Sequence, residues 1–69
     1  MVRNLAQIRV RWELLHTDGK FRIIQFGSPY FDGNEYWVVN EKGFMWESVE
    51  DLEAGLKYLA SEEAREYNS

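Results

Sequence analysis

Apolar and polar residues alternate from Gln7 to His16. Ile8, Val10, Trp12 and Leu14 fall on one side, Arg9, Arg11 and Glu13 on the other, the period-two signature of a half-buried strand. Asp18-Gly19 follows, a pair suited to the centre of a two-residue hairpin turn. Residues 20–26 then read as the return strand, with Leu14 opposite Ile23 and His16 opposite Phe21. A second pair of apolar runs, 35–40 and 44–47, flanks Glu41-Lys42-Gly43, which fits a three-residue hairpin loop with Gly in the left-handed position. That loop sets Asn40 opposite Phe44, Val39 opposite Met45 and Val38 opposite Trp46.

Beyond residue 48 the apolar spacing changes to three and four. Val49, Leu52, Leu56, Leu59 and Ala60 make one stripe, as an amphipathic helix requires. Ser48 and Asp51 have the spacing of a capping box, and Glu50, Asp51 and Glu53 lie where the helix dipole favours anions. Gly55 sits beside the stripe. Mid-helix Gly costs about 1 kcal/mol relative to Ala, so its presence predicts close approach of helix and sheet. The helix is expected over 49–66, with Asn68 and Ser69 fraying beyond it.

The expected fold is α+β: a four-stranded antiparallel β-meander (7–16, 20–26, 35–40 and 44–47) with one C-terminal helix packed on one face (ββββα), residues 1–69 forming a single small domain. The expected core is Ile8, Val10, Trp12, Leu14, Phe21, Ile23, Tyr36, Val38, Phe44, Trp46, Val49, Leu52, Leu56 and Leu59.

This arrangement leaves apolar residues on the sheet face away from the helix. Trp37, Val39 and Met45 cannot share a side with Val38 and Trp46, because side chains alternate along a strand. With Glu35 and Glu47 at their border they have the make-up of a contact patch, an aromatic anchor with a charged rim. Trp37 is the expected anchor for a protein partner or a homodimer, with Tyr30 or Phe31 of the 27–34 loop adding to it. The alternatives are a first hairpin that curls over and buries Trp37, and a loop whose two aromatics cap the core.

Composition changes the picture in three respects. At 69 residues the chain buries only ~60% of its unfolded surface, and its net stability is expected at ~3–10 kcal/mol. With no Cys to staple it, three Trp, four Tyr and four Phe supply large buried area per residue instead. The net charge of -4 is unevenly placed: residues 1–30 carry five cations against two carboxylates, net +3, while residues 31–69 carry three cations against ten carboxylates, net -7. The acidic half argues against nucleic acid on that surface and suits a basic partner. Glu50, Glu53, Glu62, Glu63 and Glu66 would form that surface on the helix. No apolar run approaches the ~20 residues that span a bilayer, and residues 1–4 lack the apolar core of a signal peptide, so a cytoplasmic protein without a membrane association is expected.

Catalytic signals are absent. His16 is the single histidine and has no nucleophile in a recognisable pairing. The glycines are spaced as turn residues rather than as a phosphate loop. Asp32-Gly33-Asn34 lacks the ligand pattern of a calcium loop and reads as turn chemistry. No enzyme activity, cofactor, metal or small-molecule substrate is expected. The expected function is a protein-interaction module, an inhibitor or modulator that docks on a larger nucleic-acid-processing protein. In size and charge the chain resembles the small acidic phage proteins that block host enzymes, anti-CRISPR proteins among them. The alternative is single-stranded nucleic-acid binding by the first hairpin, with Arg9, Arg11 and Arg22 contacting phosphates and Phe26 stacking on a base.

Overall fold

The computed structural model describes residues 11–69. Ile8, Val10, Arg9 and the first part of the expected strand 7–16 lie outside the described residues. The described chain runs β1 (Trp12–Asp18), β2 (Phe21–Gly27), β3 (Asn34–Val39), β4 (Met45–Val49), α1 (Leu52–Leu59) and α2 (Glu62–Asn68). The strands form one antiparallel sheet in the order β1-β2-β3-β4, the expected meander in an α+β fold.

The hairpin β1–β2 corrects the expected register. Asp18 pairs with Phe21, so Gly19 and Lys20 are the central residues of the turn. Gly19 takes φ +61°, the positive angle that a Gly-first turn demands. His16 therefore pairs with Ile23 rather than Phe21. An extra residue, Leu15, then bulges from β1, and Leu14 pairs with Ile24 and Trp12 with Phe26. The bulge moves Leu15 to the helix side, where it packs on the core, and sets Trp12 and Leu14 on the face of Ile24 and Phe26. Both are exposed, at 40% and 54%, and neither is the core residue that simple alternation predicts.

The β3–β4 hairpin follows the expected turn. Gly43 has φ +82°, and Asn40 N–H donates to the Phe44 carbonyl at 3.1 Å. The Asn40 side chain is buried, and its Oδ1 accepts from the Lys42 and Phe44 N–H groups, each at 3.0 Å. Val39 pairs with Met45 as expected, but Val38 pairs with Glu47 because Trp46 is bulged. Trp46 keeps the expected helix side, where its ring meets Phe21 and Tyr67 at centroid distances of 5.3 and 4.6 Å.

The expected single helix is two short ones. Ser48 still belongs to β4, paired with Trp37, so the cap falls three residues later: Asp51 accepts from the Ala54 N–H at 2.8 Å. α1 ends at Ala60, and Ser61 opens α2 by accepting from the Ala64 N–H at 3.3 Å. Glu62 and Glu63 then occupy the first turn of α2, where its dipole favours them. The break redirects the chain, so that Ala64 is buried and Tyr67 packs on the core beside Phe21.

Two apolar layers result, one on each sheet face. Phe21, Ile23, Val38, Leu59 and Ala64 form the layer beneath the helices, with Leu15, Trp46, Val49, Tyr58 and Tyr67 packed around it. Gly55 is buried, and a Cβ there would lie 2.9 Å from Ile23 Cδ1, the close approach that the mid-helix Gly suggested. The second layer is Ile24, Phe26, Val39 and Met45 with Trp37 against them. Phe44, Leu52 and Leu56 are exposed, at 40%, 36% and 40%, and Tyr36 is half-buried, so the expected core is corrected at these positions.

Asn68, expected to fray, is bonded to the first hairpin. Asn68 Oδ1 accepts from the Lys20 N–H at 2.7 Å, and its Nδ2 donates to the Asp18 carbonyl at 3.2 Å. Lys20 Nζ donates to the Tyr67 carbonyl at 3.3 Å. The end of α2 thus clamps the first hairpin turn. A Cβ at Gly19 would lie 2.7 Å from Asn68 Oδ1. Gly19→Ala is therefore expected to cost ~1–2 kcal/mol for the left-handed backbone alone and to displace Asn68 as well. A thermal melt of Gly19→Ala beside Asn68→Ala checks this: the double variant should melt above the sum of the two losses, since both remove the same clamp.

Candidate interaction site

The loop between β2 and β3 holds the most exposed aromatics of the described chain. Tyr30 is 80% and Phe31 57% exposed. The loop is built rather than loose. Ser28 N–H donates to the Gly33 carbonyl at 2.9 Å, Tyr30 N–H donates to Ser28 Oγ at 3.0 Å, and Ser28 Oγ donates to Glu35 Oε2 at 3.1 Å. Phe31 lies over Gly33, where a Cβ would meet Phe31 Cε2 at 2.9 Å. Phe31 thus packs on its own loop, and Tyr30 stands mostly in solvent. A hydrogen-bonded loop backbone lowers the entropy lost when the loop contacts a partner.

Beside the loop, at the end of the sheet where β3 begins and β4 ends, lies an open groove of about 540 Å³. Tyr30, Phe31, Asn34, Glu35, Tyr36, Ser48, Val49 and Glu50 line it. Tyr36 and Val49 are opposite one another across β3 and β4 and form its apolar floor. Glu50 lines it as well, whereas the Glu35 carboxylate lies on the sheet face of Trp37 and Phe26. Glu35 is anchored on both oxygens: Oε2 accepts from Ser28, and Oε1 accepts from Trp37 Nε1 at 3.0 Å.

Of the expected partner-binding residues, Tyr30, Phe31 and Glu35 come together in this groove. Trp37 is half-buried, with its indole N–H committed to Glu35. Val39 and Met45, at 0% and 7% exposure, are core side chains of the second layer and offer nothing to a partner's surface. Glu47 is exposed on β4 but does not line the groove. Tyr36 was assigned to the core by alternation and Val49 as the start of the helical stripe, although Val49 ends β4; the signal for their second role is their place at the sheet end below an aromatic loop.

The acidic helix surface is dispersed. Glu50 belongs to the groove, Glu53 to the first turn of α1, and Glu62 and Glu63 to that of α2. Glu66 is exposed further along α2. Glu63 accepts from Tyr58 Oη at 2.7 Å, and Tyr58 Oη accepts from Trp46 Nε1 at 2.7 Å. Burial, reinforced by the Glu63 carboxylate, pushes the Tyr58 phenol up to about 12. The hydrogen bond to Glu41, then burial, raise the Tyr67 phenol too.

These shifts carry a sign. The folded state prefers the neutral phenol, so its contribution is complete below pH ~10, the ordinary tyrosine value. It is lost as pH climbs through the folded value of about 12 for Tyr58. The melting temperature is expected to fall across that window, and Tyr58→Phe should flatten the fall. An equal slope in parent and variant would remove Tyr58 as the cause.

The proposed nucleic-acid face is not assembled among the described residues. Phe26 is 4% exposed and has no free ring face for a base. Arg22 Nη1 donates to the Gly19 and Phe21 carbonyls at 3.2 and 3.3 Å. Arg11 is exposed beside Glu13 and Gln25, and Arg9 lies outside the described residues. Among the described residues, no three His, Asp or Glu side chains converge as metal ligands would, and no helix is long and apolar enough to cross a membrane.

No family model, curated protein or solved structure matches the chain.

Proposed function

We propose that this chain is a non-catalytic protein-interaction module that docks through the Tyr30–Phe31 loop and its groove, acting as an inhibitor or modulator of a larger protein. One observation carries the reading: two adjacent aromatics, 80% and 57% exposed, are held outward by a hydrogen-bonded loop rather than folded into the core. Exposed large aromatics on a rigid support are the residues that dominate binding energy at interfaces. The reading shifts the expected anchor from Trp37 to Tyr30 and Phe31.

The test is a pull-down with the purified domain, its captured protein identified by mass spectrometry and then purified for titration. Tyr30→Ala and Phe31→Ala are each expected to weaken that complex by about 2 kcal/mol, roughly thirtyfold in Kd, with the melting temperature unchanged. Trp37→Ala should destabilise the domain instead. Full retention of binding in the Tyr30→Ala, Phe31→Ala double variant would move the interface elsewhere.

A further inference from the structure

We propose that the outer edge of β1 is a self-association surface. A second copy of the chain adds its own β1 there, antiparallel and centred on Trp12, so that Arg11 of each copy faces Glu13 of the other. The inference does not rest on the docking role given to the Tyr30–Phe31 loop.

β1 and β4 are the outermost strands of the described sheet. An edge strand presents N–H and carbonyl groups that another strand can satisfy, and bulges and charged side chains are what guard it. The bulge at Leu15 guards the second half of β1 alone. The first half, Trp12 to Leu14, pairs regularly with β2, and its Trp12 and Leu14 side chains share one face and are exposed. Arg11 and Glu13, both exposed, alternate with them on the other face. These two charges decide which strand fits the edge.

They select a second copy and a single register. Side-chain alternation allows a two-fold pairing of β1 with itself only about a residue. About Trp12, each Arg11 lies opposite the Glu13 of the other copy, and the two Trp12 side chains meet on the opposite face. About Arg11 or about Glu13, like charges oppose one another, which destabilises an antiparallel pair. About Leu14, the bulged Leu15 falls opposite Glu13 and interrupts the ladder. Gln25 Nε2 donates to Glu13 Oε2 at 3.2 Å, and a carboxylate has acceptor sites for a second donor across the edge. The contact is small, so the dimer is weak and grows with protein concentration.

Analytical ultracentrifugation of the full chain over a concentration series, at low and at raised salt, reads the self-association. The protein is expected to move from monomer toward dimer as concentration rises, and less so at raised salt. Arg11→Glu and Glu13→Arg shift the net charge of -4 in opposite directions, yet each sets like charges opposite one another across the edge. Each should weaken the dimer roughly five- to tenfold. The double swap Arg11→Glu, Glu13→Arg should return it to within about twofold of the parent. A chain that stays monomeric through the series would overturn the surface. A dimer that either single swap leaves unchanged or strengthens, or that the double swap does not restore, would overturn the pairing. A dimer lost in the Tyr30→Ala, Phe31→Ala double variant would overturn it too, by placing self-association on the loop.

Discussion

Phe21→Ala is expected to leave this domain largely unfolded near room temperature. Phe21 is fully buried and is the point where three elements meet. It comes from β2, its ring stands at 70° to that of Trp46 from the β4 bulge, and it lies 5.1 Å from Tyr67 of α2. Truncating a buried Phe costs ~3–5 kcal/mol, against a net stability of ~3–10 kcal/mol for a chain of this size. The loss extends beyond area. Edge-to-face pairs contribute ~0.5–1.5 kcal/mol beyond burial, and Tyr67 loses the surface that seats α2. Urea denaturation followed by near-ultraviolet circular dichroism measures it. The signal should be weak at zero denaturant in Phe21→Ala, while Phe21→Leu should show a complete transition at a lower midpoint. A Phe21→Ala midpoint equal to the parent's would show that α2 and the sheet are held together elsewhere.

The same triple of rings explains which parts of the fold were legible in the sequence. Alternation over residues 7–16, the Asp18-Gly19 pair and the Glu41-Lys42-Gly43 turn carried enough information to place four strands in order. Gly55 announced a close contact because nothing else accounts for Gly inside a helix. The bulges at Leu15 and Trp46 were not legible, since an extra residue leaves no mark on composition. Yet each changes a neighbour: Trp12 and Leu14 leave the helix side, and Glu47 takes the place opposite Val38 that Trp46 was expected to hold. The break at Ser61 did have a signal, a capping residue followed by Glu62 and Glu63, but good helix propensity over 61–66 hid it. For the groove, a loop longer than a tight turn marked Tyr30 and Phe31. Tyr36 stayed hidden because the pattern gives a residue's side of the sheet and not how far the covering helix reaches, and Val49 because its spacing to Leu52 and Leu56 read as helix although it ends β4.

That reach is tested most directly on α1, where Leu59→Ala is expected to cost ~2–5 kcal/mol and Leu56→Ala only ~1 kcal/mol. Spacing alone makes Leu56 the centre of the apolar stripe. The structure seats the helix about one residue round, roughly 100°, with Gly55 and Leu59 buried and Leu52 and Leu56 exposed at 36% and 40%. The cause is geometric. Gly55 lets the α1 backbone approach Ile23, Leu59 one turn later enters the core at 3% exposure, and Tyr58 beside it reaches Trp46. A helix seated on Leu52 and Leu56 would hold its Gly off the sheet and lose that contact. Paired urea midpoints at equal denaturant dependence decide between the two seats. Equal losses for Leu56→Ala and Leu59→Ala would mean that α1 sits on the stripe its spacing suggests. A large loss at Leu59 alone would confirm that the single Gly, through the approach it permits, sets the rotation of the helix.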